Sequence, residues 1–516
     1  MDILTNIIEK RKKDIEVLGL DFGINIPETR KRPLRPFMKS KGLILEVKRA
    51  SPSKGDISPN LDSYETAASY TKAGARAISC LTEQNFFKGS LEDLLKVCQA
   101  VDDSSDSGSS PAVLRKDFLL FPEEIEISYR AGADAVLLIA RILTKDELLK
   151  MGQEVVRLGL SALVEVRSDE DLEKLKYLAE RVPRENFVCG VNSRDLATFK
   201  IDLLKPCMMF QKIREIMGND ARIIFESGVT NCQCAATVSA LGFTGLLLGE
   251  AAAKNPQLRR GLVDAFMNAS STKNIDFWKE FPVSSRRMTA DCKPELTLPL
   301  IKICGLTRFE DAKLADSLGA DFLGFIFADA FPRSLTREGR LEKFLPELKK
   351  LNAKKVAVIV DLDSPEAKMA IQLVREGIFD LLQFHKISYS EVSADLLELP
   401  HYFTTDKLDE YDQLVSKGEL RVLLDSKEIT KSEATQNFKT TYEVKWLAGG
   451  ITPENVSMVI ENYHPELIDI SSGVEIEGQT GIKDFNKLEK IMSFPGLTCD
   501  VCEANSVRES VKNSYM

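Results

Sequence analysis

The stretch L-I-L-E-V-K-R-A-S-P-S-K-G-D, residues 43–56, decides the fold. Residues 43–47 are mostly aliphatic and predict a buried strand, and Gly55 belongs to the turn that follows it. Glu46 lies within this strand, Lys48 lies at its exit, and Lys54 comes shortly after. Charged side chains at the end of a buried strand are costly unless they are paired or used. The stretch therefore predicts a strand whose exit opens onto a binding site for an anion.

The same pattern of an aliphatic run followed by an amphipathic helical segment repeats along the first half of the chain. Near-continuous aliphatic strands separated by helices are typical of a parallel sheet covered on its outer face. Eight such units match a (β/α)8 barrel. The eight predicted strands are 43–47, 77–81, 112–116, 135–140, 161–166, 187–191, 221–225 and 245–248.

The pattern stops at residues 270–298, where Ser, Lys, Arg and Pro predict a linker, and then starts again. Eight more strands are predicted, at 300–304, 322–327, 355–360, 381–385, 401–405, 421–424, 445–448 and 467–471. The fold class is therefore α/β, with two tandem (β/α)8 TIM barrels. The predicted domains are a barrel over 1–269, the linker 270–298, a barrel over 299–496 and a polar tail over 497–516.

Composition narrows the function classes. The 516 residues are 44% hydrophobic and carry a net charge of −9, which argues against a nucleic-acid or membrane-surface partner and leaves small anionic, phosphorylated substrates. Ten scattered cysteines suit a reducing compartment. Only three histidines are present, so a His-based metal site or a Ser-His-Asp triad is poorly supported. No metal and no cofactor are expected. The amino terminus lacks the apolar core of a signal peptide and no run is long enough to span a membrane, so we expect a cytoplasmic enzyme.

Polar residues collect where the predicted strands end, which is where (β/α)8 barrels build their active sites. Seven of the eight strands in the first half end in a charged or amide group. Small residues follow strands seven and eight of each half, where backbone N–H groups can approach a phosphate. These segments are E-S-G (226–228), L-L-G-E (247–250), A-G-G (448–450) and S-S-G (471–473).

The strand-end motifs of the first half resemble those of indole-3-glycerol phosphate synthase. They are E-V-K-R-A-S-P-S-K-G (46–55), L-R-K-D-F (114–118), L-V-E-V (163–166), V-N-S-R-D-L (191–196), E-S-G-V (226–229) and L-L-G-E (247–250). The resemblance implies ring closure of carboxyphenylamino-deoxyribulose phosphate to indole-3-glycerol phosphate, with loss of carbon dioxide and water.

The resemblance also assigns the residues. Lys116 is the acid that polarises the substrate carbonyl, and Glu165 is the base that helps to expel the hydroxyl. Lys48 binds the departing carboxylate or serves as a second acid, and Glu46 holds the lysines in place. An acid lysine would need a lowered pKa, which we expect from neighbouring cations or burial. Asn192 and Arg194 orient the intermediate, Ser51, Ser227, Gly228 and Gly249 line the substrate and phosphate pockets, and Phe87 and Phe118 either sandwich the anthranilate ring or belong to the core.

The second half resembles phosphoribosylanthranilate isomerase. The matching motifs are K-I-C-G-L-T (302–307), A-D-F-L-G-F-I-F (320–327), P-R-S (332–334), W-L-A-G-G-I-T-P-E-N-V (446–456), D-I-S-S-G-V-E (469–475) and G-I-K-D (481–484). The implied reaction is an Amadori rearrangement with Cys304 as base and Asp425 as acid. Arg333 would bind the anthranilate carboxylate. His385, Gly449, Gly450, Ser471, Ser472 and Gly473 would line the substrate and phosphate pockets.

Two departures from the isomerase pattern leave an alternative open. Where the family has L-H-G after the fourth strand, this chain has F-H-K (384–386), and the usually glycine-rich segment after strand six has no glycine over 431–441. One hypothesis is a bifunctional enzyme of tryptophan biosynthesis, in transient contact with other enzymes of the pathway. The other is a monofunctional synthase whose second barrel is weakened or acts as a non-catalytic scaffold.

Overall fold

The computed structural model describes residues 3–104, 110–195, 198–281, 299–431 and 438–493. The chain divides into two compact units, one mainly of residues 1–271 and the other mainly of residues 272–516. Each unit contains one closed barrel of eight parallel strands. The predicted fold class is therefore confirmed. The tail predicted over 497–516 lies outside the described residues.

The first barrel closes because its last strand pairs with its first, Gly42 opposite Gly245. Every strand pairs with its sequence neighbours, as a singly wound barrel requires. The strands are β1 (Gly42–Val47), β2 (Ala77–Leu81), β3 (Ala112–Lys116), β4 (Ala135–Ile139), β5 (Ser161–Val166), β6 (Phe187–Asn192), β7 (Ile223–Glu226) and β8 (Gly245–Leu248). A two-residue antiparallel pair, Ala50–Ser51 with Gly55–Asp56, forms the turn predicted after β1.

The helices of the first unit are amphipathic and several begin at a side-chain cap. Thr144 and Glu147 form a capping box, as do Ser168 and Asp171, and each satisfies two backbone N–H groups of a first turn. The helices are α1 (Ile3–Leu18), α2 (Ser63–Lys72), α3 (Leu91–Asp103), α4 (Glu123–Arg130), α5 (Lys145–Arg157), α6 (Asp169–Ala179), α7 (Leu204–Met217), α8 (Cys232–Ala240), α9 (Glu250–Lys254) and α10 (Arg259–Met267), with 3-10 turns at Ala140–Ile142, Arg184–Asn186 and Pro256–Leu258.

The second barrel closes in the same way, with Leu300 opposite Leu467. Its strands are β9 (Leu300–Cys304), β10 (Phe322–Ile326), β11 (Lys354–Ile359), β12 (Leu381–His385), β13 (His401–Thr405), β14 (Val422–Asp425), β15 (Trp446–Ala448) and β16 (Leu467–Ile470). All sixteen strands overlap the predicted ones, with ends that differ by at most two residues.

The second unit begins with a helix, α11 (Lys273–Glu280), inside the stretch predicted as a linker. Trp278 is buried, its ring lies 5.7 Å from that of Trp446 at the start of β15, and its Nε1 donates to the His401 carbonyl at 3.2 Å. Phe281 packs on Phe322 at the start of β10. The start of this stretch is therefore part of the barrel floor, and residues 282–298 lie outside the described residues.

The remaining helices of the second unit surround its barrel. They are α12 (Phe309–Ser317), α13 (Arg340–Phe344), α14 (Pro365–Arg375), α15 (Ala394–Leu397), α16 (Leu408–Ser416), α17 (Val456–Tyr463) and α18 (Phe485–Met492). Shorter 3-10 turns lie at Arg337–Gly339, Leu348–Lys350, Tyr389–Glu391, Lys427–Thr430 and Ser472–Val474.

Candidate active sites at the two barrel mouths

Lys116, the last residue of β3, lies at the centre of the first site. Its Nζ donates to Glu226 Oε2 at 2.7 Å and lies 3.9 Å from Glu46 Oε2. Glu226 is fully buried, and its Oε1 has no hydrogen-bond partner among the described residues. Glu46 in turn binds Lys48 at 3.2 Å. The ends of β1, β3 and β7 thus bring two lysines and two carboxylates together.

The charge state of Lys116 differs from the one we expected. Burial acts to lower its pKa, but Glu226, Glu46 and Glu165 outweigh burial and raise the pKa above its ordinary value. The expectation of a lysine surrounded by cations was wrong, because the nearest charged groups are carboxylates. Lys116 is therefore protonated at neutral pH and stays a hydrogen-bond donor.

Glu165, on β5, is the group of this site whose pKa reaches the neutral range. Burial and the negative charge of Glu226 raise its pKa from 4.5 to about 7, while Lys116 acts in the opposite direction. Asn192, at the end of β6, donates to Glu165 Oε2 at 3.5 Å. A carboxyl group in this state can take up or release a proton at neutral pH.

The two aromatic residues named for the substrate ring touch each other. The ring centroids of Phe87 and Phe118 lie 6.0 Å apart and the rings are tilted by 38°. To hold a third ring between them, the two centroids would have to lie about 7 Å apart, because each stacked contact takes about 3.5 Å. In this structure the pair does not form a sandwich. Lys48 Nζ lies 5.7 Å from the Phe87 ring, so this ring is part of the mouth and not only of the core.

The glycines after β7 and β8 allow close packing. Gly228 has φ +81°, and a Cβ there would lie 2.6 Å from Ile201 Cγ2. A Cβ on Gly249 would lie 2.7 Å from Glu46 Oε1, so this glycine makes room for the Glu46 carboxylate. Ser227 also takes a positive φ, +70°.

Two other residues expected in the substrate pocket have polar contacts within their own segments. Arg194 Nη1 donates to the Phe199 carbonyl at 3.3 Å, and the Arg194 backbone N–H donates to Asn192 Oδ1 at 3.0 Å. Ser51 is buried in the turn after β1, where its Oγ lies 3.4 Å from that of Ser53.

The second mouth contains a cavity of about 280 Å³. Cys304 ends β9 and Asp425 ends β14, and both line this cavity. Every other residue expected to bind substrate in this half lines it too: Arg333, His385, Gly449, Gly450, Ser471, Ser472 and Gly473. The structure thus brings the predicted residues of the second half to one cavity.

Burial shifts the pKa of two titratable side chains that line this cavity, Cys304 and His385. Burial raises the pKa of the Cys304 thiol, opposed mainly by Lys302. Burial lowers the pKa of His385, so its imidazole is neutral over most of the physiological range. Thiolate formation at Cys304 therefore depends on nearby positive charge.

Arg333 is already bound to a carboxylate. Its Nε and Nη2 donate to the two oxygens of Glu475 at 2.7 and 2.8 Å. Glu475 also accepts from Lys483 at 3.2 Å. A bidentate pair fixes the plane of the guanidinium. The side of Arg333 that faces the cavity is therefore oriented before any substrate binds.

Lys386 stands where the family motif has glycine. Lys386 has φ +58°, the left-handed region that glycine adopts readily. Its Nζ pairs with Asp406 at 2.6 Å. The backbone at the L-H-G position of the family is left-handed here although the residue is lysine. Most of the glycine-free segment, residues 432–437, lies outside the described residues.

Gly449 and Gly473, in the turns after β15 and β16, lie too close to neighbouring backbone for any side chain to fit. A Cβ on Gly449 would lie 2.4 Å from the Ser426 carbonyl oxygen, and one on Gly473 would lie 1.8 Å from that of Ile451. The two turns pack against neighbouring backbone, and both glycines line the cavity.

Within the described ranges, no group of three or more His, Cys, Asp or Glu side chains is arranged to hold a metal ion. Among the helices described, none is both long and apolar enough to cross a membrane.

Comparison with known families decides what the first barrel is. The family of indole-3-glycerol phosphate synthase matches residues 5–263, half of the chain. The chain belongs to this family. The family described as N-(5'phosphoribosyl)anthranilate (PRA) isomerase matches residues 301–493. Both resemblances inferred from the motifs are confirmed, and the two units are called below the synthase barrel and the isomerase barrel.

Relatives align with both barrels or with the synthase barrel alone. A multifunctional tryptophan biosynthesis protein of Schizosaccharomyces pombe is 29% identical over 94% of this chain, and this chain spans 63% of that relative's length. A tryptophan biosynthesis protein of Phytophthora nicotianae is 28% identical over 82% of this chain and 86% of its own length. Indole-3-glycerol phosphate synthase of Geobacillus thermodenitrificans is 35% identical over 51% of this chain and 96% of its own length.

Two solved structures match part of this chain. A structure titled as TrpF from Jonesia denitrificans covers 39% of this chain and 99% of its own length, with 29% identity and a TM-score of 0.33. Phosphoribosylanthranilate isomerase from Thermotoga maritima covers 38% of this chain and 97% of its own length, with 24% identity and a TM-score of 0.32.

Sequence reasoning missed several residues of both sites. Glu226 was named only as a strand-end residue, although it is the nearest partner of Lys116. Lys302 forms a buried network with Gln383 and Asp469, which both line the isomerase cavity. Lys302 Nζ lies 2.5 Å from Asp469 Oδ2 and 2.8 Å from Gln383 Oε1. The signal was present, because alternation along β9 places Lys302 on the same inward face as Cys304.

Proposed function

We propose that the chain catalyses two steps of tryptophan biosynthesis, with the isomerase barrel producing the substrate of the synthase barrel. Relatives that align with both barrels carry names from this pathway, and one is named as multifunctional. The observation that carries the proposal is that each barrel mouth contains a proton donor and a proton acceptor. In one mouth these are Lys116 and Glu165, and in the other they are Asp425 and Cys304.

In the synthase barrel, Lys116 donates a hydrogen bond to the substrate carbonyl while the aromatic carbon attacks it. The raised pKa of Lys116 supports this role, since a protonated lysine stabilises negative charge that develops on the oxygen. Glu165 then helps to remove the hydroxyl as water after carbon dioxide has left. Its pKa of about 7 suits proton transfer at neutral pH. Glu46 and Glu226 hold Lys116 in place.

Other residues of this mouth bind the substrate. Lys48 receives the carboxylate that is lost, and Asn192 and Arg194 orient the intermediate. The phosphate lies against the turns that contain Ser227, Gly228 and Gly249. Phe87 and Phe118 line one side of the site for the anthranilate ring.

In the isomerase barrel, Asp425 protonates the ring oxygen of the N-ribosyl aminoaldose and Cys304 removes the adjacent C–H proton. Arg333, oriented by Glu475, binds the anthranilate carboxylate. The phosphate lies at the turns that contain Gly449, Gly450 and residues 471–473. Lys386 takes the left-handed backbone conformation that glycine adopts readily, which supports an active isomerase over a scaffold.

We also propose domain limits and a setting for the enzyme. The synthase barrel extends to about residue 271, and the isomerase barrel begins with α11 because Trp278 belongs to its floor. We place the enzyme in the cytoplasm, with phosphorylated small molecules as its ligands and transient contacts to other enzymes of the pathway.

Full-length variants test the two activities independently. The wild-type chain should rescue bacterial tryptophan auxotrophs that lack either the synthase or the isomerase. Lys116→Met should rescue only the isomerase-deficient strain, and Cys304→Ser only the synthase-deficient strain. A wild-type chain that rescues the synthase-deficient strain but fails in the other would favour the monofunctional alternative. Loss of both activities in Lys116→Met would contradict separate sites.

A further inference from the structure

Lys302 is a buried cation next to the proposed base of the isomerase barrel. It lies two residues before Cys304 on β9, so both side chains point into the barrel. A Cβ on Gly324, in the neighbouring strand β10, would lie 2.6 Å from Cys304 Sγ and 2.9 Å from Lys302 Cε. The sulfur and the end of the lysine side chain therefore share the space above one glycine.

Two other side chains hold the Lys302 ammonium in this position. Its Nζ contacts Asp469 Oδ2 at 2.5 Å and Gln383 Oε1 at 2.8 Å. Gln383 is oriented in turn, because its Nε2 donates to Thr404 Oγ1 at 2.8 Å and its Oε1 accepts from Tyr402 at 2.9 Å. Two of the three ammonium N–H groups go to these oxygens, and the ammonium also interacts with the Cys304 sulfur and the Tyr402 hydroxyl.

We infer that Lys302 is a positioning residue of the isomerase site, which places a permanent positive charge beside the Cys304 sulfur and thereby favours its thiolate. This role rests on the proposed isomerase function. Lys302 is fully buried and does not line the cavity, so it acts through Cys304 and does not touch the substrate.

The other charged and titratable groups around Cys304 do not replace Lys302. Lys483 is also buried, but its three N–H groups go to the carbonyls of Cys304 and Ser471 and to Glu475. Asp469 opposes the thiolate through its own negative charge, and it also keeps Lys302 protonated. The groups that face Cys304 or share its cavity are Lys302, Asp469, Lys483, Arg333, Tyr402, His385 and Asp425.

A purely structural ion pair would behave differently from a charge that acts on the thiol. If Lys302 and Asp469 only fill the barrel interior, removing both charges together should leave the reactivity of Cys304 unchanged. If Lys302 favours the thiolate, two variants should move the reactivity in opposite directions. Lys302→Met/Asp469→Asn should make the thiol less acidic, and Asp469→Asn alone, which keeps the cation, should make it more acidic.

The test measures alkylation of Cys304 by iodoacetamide against pH in the full-length protein. The peptide that contains Cys304 is quantified by mass spectrometry, with Cys304→Ser to assign it among the ten cysteines. At pH 7 we expect Lys302→Met/Asp469→Asn to react about tenfold more slowly than wild type, the effect of one pKa unit, and Asp469→Asn to react faster. Wild-type rates at every pH in a folded double variant would overturn the inference.

Folding and function are checked separately. Both tryptophans of the chain, Trp278 and Trp446, lie in the second unit, so their emission reports its fold. If the double variant does not fold, Asp469→Asn decides alone, and an unchanged alkylation profile in that variant overturns the inference. Thiol reactivity does not require turnover. A chain without isomerase activity that still shows the opposite shifts would refute the proposed function and leave the role of Lys302 standing.

Discussion

Lys116 Nζ lies 2.7 Å from Glu226 Oε2, and this contact joins β3 to β7 across the interior of the synthase barrel. The same Glu226 raises the pKa of Glu165 on β5. One buried carboxylate therefore affects both groups to which we assign proton transfer. It holds the lysine in its protonated form and brings the glutamate into the neutral range.

Replacing Glu226 by Gln should separate these two effects. Without the negative charge at 226, the pKa of Glu165 should fall below about 7, by on the order of one unit. Because Glu165 must be ionised to act as a base, the acidic limb of the synthase kcat/KM profile should move to lower pH. Formation of the indole product, followed by its fluorescence, measures the profile.

Glu46→Gln is the matched control, since Glu46 also lies beside Lys116 but is not among the main groups that shift Glu165. In Glu46→Gln the acidic limb of the synthase kcat/KM profile should stay at its wild-type pH. An acidic limb that is the same in Glu226→Gln and wild type would refute the coupling.

Gly190→Ala should disturb the contact between Lys116 and Glu226 without changing any charge. A Cβ at Gly190 would lie 2.0 Å from Glu226 Oε1, closer than non-bonded atoms tolerate, so the carboxylate must move away from its position on Lys116. We expect synthase kcat to fall at least about tenfold, the effect of about 1.4 kcal/mol in the barrier, while isomerase activity is unchanged. Steady-state assays of both activities in one preparation measure this.

Gly261→Ala serves as its control. Gly261 lies in α10, and the nearest atom to its Cβ position, Cys232 Sγ, is 3.4 Å away. Both activities should remain normal in this variant. Full synthase activity in Gly190→Ala would mean that the position of Glu226 does not matter to the reaction.

Glu165→Gln should stabilise the synthase barrel above neutral pH while abolishing its activity. The pKa of Glu165 is raised in the folded state, so its contribution to stability is fully present below about pH 4.5 and is lost as pH rises through about 7. At pH 8 the ionised, buried side chain costs free energy that Gln does not. We expect the variant to be more stable by on the order of 1–3 kcal/mol at pH 8, with a much smaller difference near pH 5.

Urea unfolding at the two pH values measures this difference. Far-UV circular dichroism follows the whole chain, and tryptophan emission follows the second unit, which should not change. Equal stability of variant and wild type at pH 8 would show that Glu165 ionises without cost in the folded protein.

Trp278→Ala should destabilise the isomerase barrel selectively. The side chain packs on Trp446 and lies under the Arg421 guanidinium, with 4.4 Å between that group and the ring centroid. Truncating a buried tryptophan costs about 3–5 kcal/mol, so isomerase activity should be lost at a lower temperature than synthase activity. Residual activity after heating measures both. The exposed Glu280, in the same helix, offers a control, and Glu280→Ala should leave both inactivation temperatures unchanged.

Much of the fold could be predicted because its information is local. Aliphatic runs at strand spacing, separated by amphipathic helices, report burial one element at a time, and a barrel wound in sequence order needs no long-range pairing to be guessed. The residues at strand ends, such as Lys116 and Cys304, could be found for the same reason. The position of Trp278 was harder to predict, because the sequence of a short helix after a polar stretch does not show which surface that helix covers.

By itself, the sequence determined the two barrels, the mouths where their sites lie and most of the side chains at those mouths. Only the tertiary structure decided what surrounds each ionisable group. Lys116 is bordered by Glu226 and Glu46 from strands far apart in the chain, and Lys302 meets Asp469 across the closure of the second barrel. A pKa depends on burial and on charges within a few ångströms, and those neighbours come together only when all eight strands of a barrel close.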